Sequence, residues 1–134
     1  MFKLDARLEN DTIELGKIEF IKVLMSKDNN YPWLILVPEI ADATELFDLN
    51  TQQQQLLMQT ITKISKDMQV EFSADKINVG ALGNVVKQLH IHIVARFETD
   101  IAWPGPIWGQ HPAKPYTQEQ LEAQINKMKE MLGL

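Results

Sequence analysis

The strongest constraint on the fold is an alternating stretch, KQLHIHIVARF, at residues 87–97. Side chains of successive residues in a β-strand point to opposite faces of a sheet. Gln88, His90 and His92 therefore share one face, while the residues between them form an apolar opposite face. The pattern predicts a strand with one face against a core and one face that carries an amide and two imidazoles.

Other segments predict the elements around this strand. Short apolar runs bounded by turn residues indicate strands, and apolar residues at helical spacing indicate helices. Strands joined by short turns favour an antiparallel sheet with helices on one side, so the predicted class is α+β. The predicted elements are strands at 18–25 and 33–39 that form a hairpin ended by Pro38, a helix within 48–68 capped by Asn50 or Thr51, a strand at 76–80, and a helix at about 117–131 capped by Thr117.

Length and composition limit the function classes. We expect 134 residues to form one domain, with a core at about 18–96, a Trp- and Pro-rich loop at 100–116 and a C-terminal helix. No apolar run approaches the roughly 20 residues that span a bilayer, and residues 1–11 lack a signal peptide's apolar region, which predicts a cytoplasmic protein. The absence of cysteine excludes thiolate chemistry, and a net charge of −5 argues against binding to a nucleic-acid backbone.

The two histidines have three interpretations on chemistry alone. They can be partly exposed residues on the solvent face of a half-buried strand. They can be two ligands of a metal, although a third ligand is needed and the only other histidine, His111, lies in a proline-bounded loop. They can also serve nucleophilic catalysis, since neutral imidazole attacks phosphorus and a second histidine can donate to the leaving group.

A glycine-containing segment just upstream, NVGALGNVV at 78–86, supports the third interpretation. Gly80 and Gly83 free the backbone to approach an anion, and Asn78 and Asn84 add side-chain amides that can bind phosphate oxygens. Two glycines are also what an ordinary turn requires. The segment therefore agrees with phosphate chemistry but does not prove it.

The segment QLHIHIVA resembles the signature of the histidine triad (HIT) superfamily, in which three histidines alternate with apolar residues. The context is similar too: YPWLILVPE, a helix after FDLN, the strand KINVG and the glycine-bearing loop, from about residue 18 to 96. The chain looks particularly like small bacterial HIT proteins that carry Gln first in the triad and a Trp-Pro loop after it. The resemblance implies an α+β HIT fold, a homodimer whose two sheets join, and a nucleotide hydrolase or transferase without a metal or cofactor.

The resemblance also assigns roles to individual residues. It implies that His90 is the nucleophile, which forms a nucleotidyl-histidine intermediate, and that His92 binds the phosphate and assists transfer, with Gln88 as the third triad member. It also assigns residues to substrate contacts. The residues implied to contact the phosphate are Asn78, Gly83, Asn84 and Val85. Those implied to contact the nucleoside are Ile18, Phe20 and the stretch Met25–Asp28.

Three positions depart from the common pattern of the family. Gln88 replaces a histidine and cannot titrate near pH 7, Val85 replaces a Ser or Thr hydroxyl, and Trp33 replaces another histidine. The substrate expected from the resemblance is a dinucleoside polyphosphate or a nucleoside phosphoramidate. The alternative is a nucleotide-binding module with little turnover.

The Trp- and Pro-rich loop allows more than one role. Trp103 and Trp108 can pack the C-terminal helix onto the sheet, wall the nucleotide pocket or cross a dimer interface. We expect His111 to be an exposed loop residue.

Overall fold

One five-stranded antiparallel sheet organises the molecule, and the computed structural model describes all of residues 1–134. The strand order is β1-β2-β3-β5-β4, so β1 and β4 are the edge strands. The observed class is α+β, as predicted. In chain order the elements are α1 (Ala6–Asp11), β1 (Thr12–Ile18), β2 (Ile21–Ser26), β3 (Trp33–Pro38), a 3-10 turn (Leu46–Asp48), α2 (Thr51–Phe72), β4 (Lys76–Gly80), β5 (Ile91–Arg96) and α3 (Gln118–Leu132).

Both long helices begin where the sequence predicts. The Asn50 side chain accepts from the backbone N–H of Gln53, and the Gln53 side chain accepts from the N–H of Asn50. Thr117 and Gln120 form the same reciprocal pair at the start of α3. Each pair satisfies two N–H groups that a helix start leaves without an intrahelical partner, which fixes the first turn.

The prediction of one strand over 18–25 is wrong. Ile18 ends β1 and pairs with Ile21 at the start of β2, and the chain reverses through a two-residue turn at Glu19 and Phe20. Glu19 adopts a left-handed φ of 52°, a conformation that glycine or asparagine usually supplies. The sequence therefore carries no turn signal there. Neither β1 nor α1 was predicted.

The inner face of the sheet packs against α2 and α3. A cluster of 18 buried apolar residues joins this face to the two helices. Ile91, Ile93 and Ala95 of β5 belong to it, and so does Leu89. The apolar side of the alternating stretch is therefore in the core, as the sequence predicts.

The outer face has two separate covers. Residues 1–11, the N-terminal cover, contribute Leu8 to a buried cluster with Leu24, Ile35 and Val37. Residues 100–116, the Trp-Pro loop, contribute Ile107 to a second small cluster. The histidines lie between these two covers. None of the three α-helices has the length and apolar character that crossing a bilayer requires.

Candidate active site

His90 lies at the end of the loop that leads into β5, and its side chain is 7% exposed. Its Nδ1 is 2.7 Å from the main-chain oxygen of Gln88. A carbonyl oxygen can only accept, so Nδ1 carries the proton and donates it. The other ring nitrogen, Nε2, then holds a lone pair, which is the form of imidazole that acts as a nucleophile.

His92 projects from the outer face of β5 beside His90, with the two ring centroids 4.9 Å apart. Its Nδ1 accepts a hydrogen bond from Trp33 Nε1 at 3.0 Å. The indole N–H can only donate, so the proton of neutral His92 sits on Nε2. Burial, followed by the neighbouring His90, lowers the pKa of His92 from 6.5 to about 3. The two histidines thus have opposite tautomers: His90 offers a lone pair and His92 offers an N–H.

The Gln88 side chain is engaged by the N-terminal cover. Its Oε1 accepts from the backbone N–H of Asp5 at 2.8 Å, and its Nε2 donates to the backbone oxygen of Lys3 at 2.7 Å. The sequence pointed to the Gln88 side chain as a member of the triad. In the structure, its main-chain carbonyl is the group that contacts His90.

The loop between β4 and His90 forms one wall of a small cavity of about 90 Å³. Gly83, with a left-handed φ of 70°, lines this cavity together with His90 and Glu45. Asn84 and Val85 are exposed on the same loop and do not line this cavity. Of the loop residues predicted to bind phosphate, only Gly83 therefore lies in the cavity with His90.

The two β4 residues of the glycine-containing segment have other contacts. Asn78 Oδ1 accepts a hydrogen bond from Arg96 Nη1 at 2.8 Å. Gly80 pairs with His92, and a Cβ on Gly80 would lie 3.1 Å from the Trp108 ring. Gly80 thus leaves space for Trp108 to pack beside His92, where the ring centroids are 5.4 Å apart.

A larger cavity of about 600 Å³ lies on the far side of the two indoles that contact His92, and its volume is typical of small-molecule sites. Both indoles that contact His92, Trp33 and Trp108, line it, and so does Asp28. Asp28 Oδ1 accepts from the backbone N–H groups of Asn30 and Lys114, which ties the hairpin to the Trp-Pro loop.

Ile18 and Phe20 are not brought to this cavity. Both pack against the inner-face core. Phe20 borders a separate groove along α2 with Gln52, Gln53, Gln55, Leu56 and Gln59.

The two tryptophans of the Trp-Pro loop pack on the outer face rather than beneath the C-terminal helix. The Arg96 guanidinium lies 5.6 Å from the Trp103 ring centroid, and Trp108 lines the larger cavity. The helix α3 instead contributes Met128 to the inner-face core. His111 is exposed at the rim of the larger cavity.

No group of three or more His, Cys, Asp or Glu side chains is arranged to hold a metal ion.

Comparisons with known proteins agree with this geometry. The family model of the HIT domain matches residues 7–99. The crystal structure of a histidine triad protein from Marinobacter aquaeolei superposes with a TM-score of 0.97 at 44% identity, covering 99% of this chain and 97% of that one. A histidine triad protein of Bradyrhizobium japonicum gives a TM-score of 0.94 at 42% identity, covering 97% of each chain.

A third similar structure is a histidine triad protein of Sinorhizobium meliloti, with a TM-score of 0.93 at 40% identity over 96% of both chains. A sequence comparison with curated proteins found no match. The predicted HIT-like fold is confirmed by these superpositions over nearly the whole chain. From the family model and the three close structural relatives, we conclude that this chain belongs to the HIT domain family.

Proposed function

We propose that this protein is a nucleotide hydrolase or transferase that acts at the α-phosphate of its substrate, with His90 as the nucleophile. One observation carries the proposal: the opposite tautomers of two adjacent buried histidines. His90 Nδ1 donates to a carbonyl and frees Nε2, while His92 Nδ1 accepts from Trp33 and leaves Nε2 protonated. Membership of a family of nucleotide-binding and hydrolase-type proteins agrees with this chemistry.

The mechanism has two displacements at phosphorus. In the first, the Nε2 lone pair of His90 attacks the α-phosphorus and the leaving group departs, giving a nucleotidyl-histidine. The Gln88 carbonyl accepts from Nδ1 and stabilises the positive charge that develops on the ring. In the second, water attacks phosphorus and the bond to Nε2 breaks, which restores neutral His90.

The nucleoside part of the substrate is assigned to the 600 Å³ cavity and the phosphate to the neighbourhood of His90 and Gly83. Trp33 and Trp108 offer aromatic surface to a base. The carboxylate of Asp28 lines the same cavity and can accept from ribose hydroxyls. In this proposed placement the α-phosphate lies within reach of His90.

The test is nucleoside monophosphate release from a panel of adenosine and guanosine phosphoramidates and dinucleoside polyphosphates, compared with His90→Ala. We expect the variant to lose roughly 10⁴-fold or more in kcat, because it lacks the attacking atom. Acid quenching during turnover should trap the nucleotide on the wild-type protein and not on the variant. Equal release by both proteins would contradict the proposal.

A second candidate function is a nucleotide-binding module with little turnover. The observation that favours it is the engagement of the Gln88 side chain by backbone groups of the N-terminal cover, which leaves two histidines for the chemistry. In this case calorimetry detects nucleotide binding to both the wild type and His90→Ala, and neither protein releases monophosphate.

The proposed assembly is a homodimer formed through the β4 edge. The backbone of β4 has a free hydrogen-bonding edge because it is the last strand of the sheet. Val79 on this strand is 49% exposed and Met58 on α2 is 56% exposed. Between them lies an apolar groove of about 550 Å³ that Phe47 also lines. A second copy paired along β4 buries this surface and joins the two sheets.

Analytical ultracentrifugation tests the dimer. Val79→Lys places a charge on the proposed edge, and we expect a monomer. The matched control is Val70→Lys, at a valine of α2 that is 73% exposed and does not line the groove. A wild type that sediments as a monomer at micromolar concentration would contradict the assembly.

A further inference from the structure

The contact between Trp33 and His92 has a chemical consequence for the leaving group. Trp33 Nε1 lies 3.0 Å from His92 Nδ1, and the two rings are tilted by 51° with centroids 5.6 Å apart. On another side, the Trp108 ring meets His92 edge-on at 5.4 Å. The imidazole is therefore held between two indoles, and only one of them donates a hydrogen bond to it.

This hydrogen bond opposes protonation of His92. An imidazolium carries a proton on both nitrogens, so a proton on Nδ1 would point at the Trp33 N–H, which has no lone pair to accept it. Burial acts in the same direction, since it lowers the pKa of His92. His92 is consequently a neutral Nε2–H donor, which can stabilise negative charge but is a very weak acid.

The other polar groups beside the two rings are already engaged. Gln88 is an amide, bonded to backbone groups of the N-terminal cover. The proton on His90 Nδ1 is donated to the Gln88 carbonyl. His92 itself faces His90, while the remaining titratable groups near the site line the cavities. They are Glu45 in the small cavity, and Asp11, Lys27, Asp28 and His111 in the larger one.

We infer that Trp33, by fixing His92 as a neutral hydrogen-bond donor, makes this site selective for leaving groups that depart as stable oxyanions. The substrate class is then a nucleoside 5′-phosphoanhydride, such as a dinucleoside polyphosphate, rather than a nucleoside phosphoramidate. This inference rests on the proposed function and narrows it. Trp33 is a positioning residue, because it acts through His92.

The two substrate classes differ in whether the leaving group needs a proton before it departs. With an anhydride, the His90 Nε2–P bond forms, the P–O bond breaks, and its electron pair remains on a phosphate oxygen that is stable as an anion. His92 Nε2–H donates a hydrogen bond to that oxygen and keeps its proton. Water then attacks phosphorus, the P–N bond breaks with its electron pair returning to His90, and the proton of the water passes to solvent. An amine needs a proton on nitrogen before the P–N bond breaks, and neutral His92 does not supply it.

The first test compares two substrates that share the adenosine 5′-phosphoryl group: diadenosine triphosphate and adenosine 5′-phosphoramidate. In the wild type we expect the anhydride to be preferred in kcat/KM by roughly 10²-fold, because general acid catalysis contributes that much or more where it operates. The preference should be constant between about pH 5.5 and 7.5, the range in which an ordinary histidine titrates.

Trp33→Phe keeps an aromatic ring and removes the N–H that holds His92 Nδ1. We expect the ratio to shift towards the phosphoramidate by roughly tenfold, because His92 Nδ1 is then free to take a proton. The shift should be strongest at the acid end, since burial and the neighbouring His90 still oppose the charged form. The matched control is Trp108→Phe, which removes an indole N–H beside the same ring where no hydrogen bond to His92 exists. We expect this control to leave the substrate ratio and its pH dependence unchanged, whatever its effect on the absolute rates.

The second test reads the tautomer without turnover, from long-range ¹H–¹⁵N correlation spectra of protein labelled at histidine. We expect an unprotonated Nδ1 and a protonated Nε2 for His92 from about pH 5 to 8. A His92 that titrates in this range, or a wild type that prefers the phosphoramidate, overturns the inference and leaves the proposed function intact. Absence of turnover on both substrates overturns the proposed function and the leaving-group preference together, while the spectra still decide the tautomer.

Discussion

The two faces of the sheet are buried by different means. The inner face meets two regular helices through one continuous cluster of 18 buried apolar residues. The outer face meets two irregular segments, which contribute clusters of only four and three buried apolar residues. Between these covers, buried polar groups remain, including His90, His92 and Arg96.

This difference locates the chemistry. Regular helices provide continuous apolar surface, so a polar group without a hydrogen-bond partner is costly on the inner face. The two irregular covers leave a gap between the N-terminal cover and the Trp-Pro loop, where His90 and His92 lie. Polar side chains in this gap are held by specific hydrogen bonds rather than by packing. We therefore expect inner-face substitutions to change stability alone. We expect the effect of an outer-face substitution to depend on which polar contact it removes.

The largest expected effect on stability is at the Arg96–Asp100 ion pair of the outer face. Both side chains are buried, at 1% and 3% exposure, and Arg96 Nε lies 2.8 Å from Asp100 Oδ2. Burial alone would raise the pKa of Asp100, but hydrogen bonds from Arg96 and the Phe97 N–H outweigh it and hold that pKa below its usual value. Arg96→Met leaves a buried carboxylate unpaired, and we expect a loss of about 3–5 kcal/mol in urea unfolding.

A double variant separates charge from packing at this position. Arg96→Met with Asp100→Asn keeps an oxygen that can accept from the Phe97 N–H and removes the buried charge. It should recover much of the lost stability. A cost below about 1 kcal/mol for Arg96→Met, the value of an exposed pair, would show that the outer face does not depend on this contact.

On the inner face, Ile64→Ala tests the opposite behaviour. Ile64 is a core residue on α2 with 2% exposure, so its truncation leaves a cavity. We expect about 3 kcal/mol of lost stability in urea unfolding. Monophosphate release well below the melting temperature should equal the wild-type rate, since the outer face is not altered. A large loss of activity in the folded variant would break the proposed separation of the two faces.

The features that the sequence predicts correctly have local physical causes. The alternation at 87–97 predicted which side of β5 is buried. The expected caps, Asn50 or Thr51 and Thr117, predicted both helix starts, and the structure selects Asn50 for the first. These features depend on neighbours within a few positions. The turn at Glu19 is equally local, but a glutamate in the left-handed region gives no sequence signal.

The contacts that organise the site are not local. Trp33 meets His92 across 59 positions, because β3 pairs with β5 in a register that sets Trp33 opposite Val94. Gln88 meets Asp5 across 83 positions. Hydrophobic periodicity does not specify the register between distant strands. The sequence therefore predicted His90 and His92 as site residues, but it did not predict the groups that fix their tautomers.

Stability at acid pH gives a smaller and more specific effect. The pKa of His92 is about 3 in the folded protein and 6.5 in an unfolded chain, so between these values the unfolded state binds more protons. Stability therefore falls as the pH falls below 6.5, by about 2 kcal/mol on reaching pH 5. His92→Gln can still accept from Trp33 but cannot titrate, and urea unfolding of this variant should show a flatter pH dependence. Equal slopes for the two proteins would mean that His92 titrates normally in the folded state.

The smallest effect on stability is expected at Gln88, and it tests whether this side chain serves to attach the N-terminal cover to the outer face. Gln88→Met keeps the length of the side chain and removes its two hydrogen bonds to the N-terminal cover. We expect a loss of about 1 kcal/mol and faster hydrogen exchange at the Asp5 N–H, because that group loses its acceptor. The main-chain carbonyl that orients His90 is unchanged, so monophosphate release should fall by less than roughly tenfold. A fall of 10²-fold or more with the same small loss of stability would assign the side chain to the chemistry. The outer face would then contain a third catalytic group, instead of an amide that fastens one of its covers.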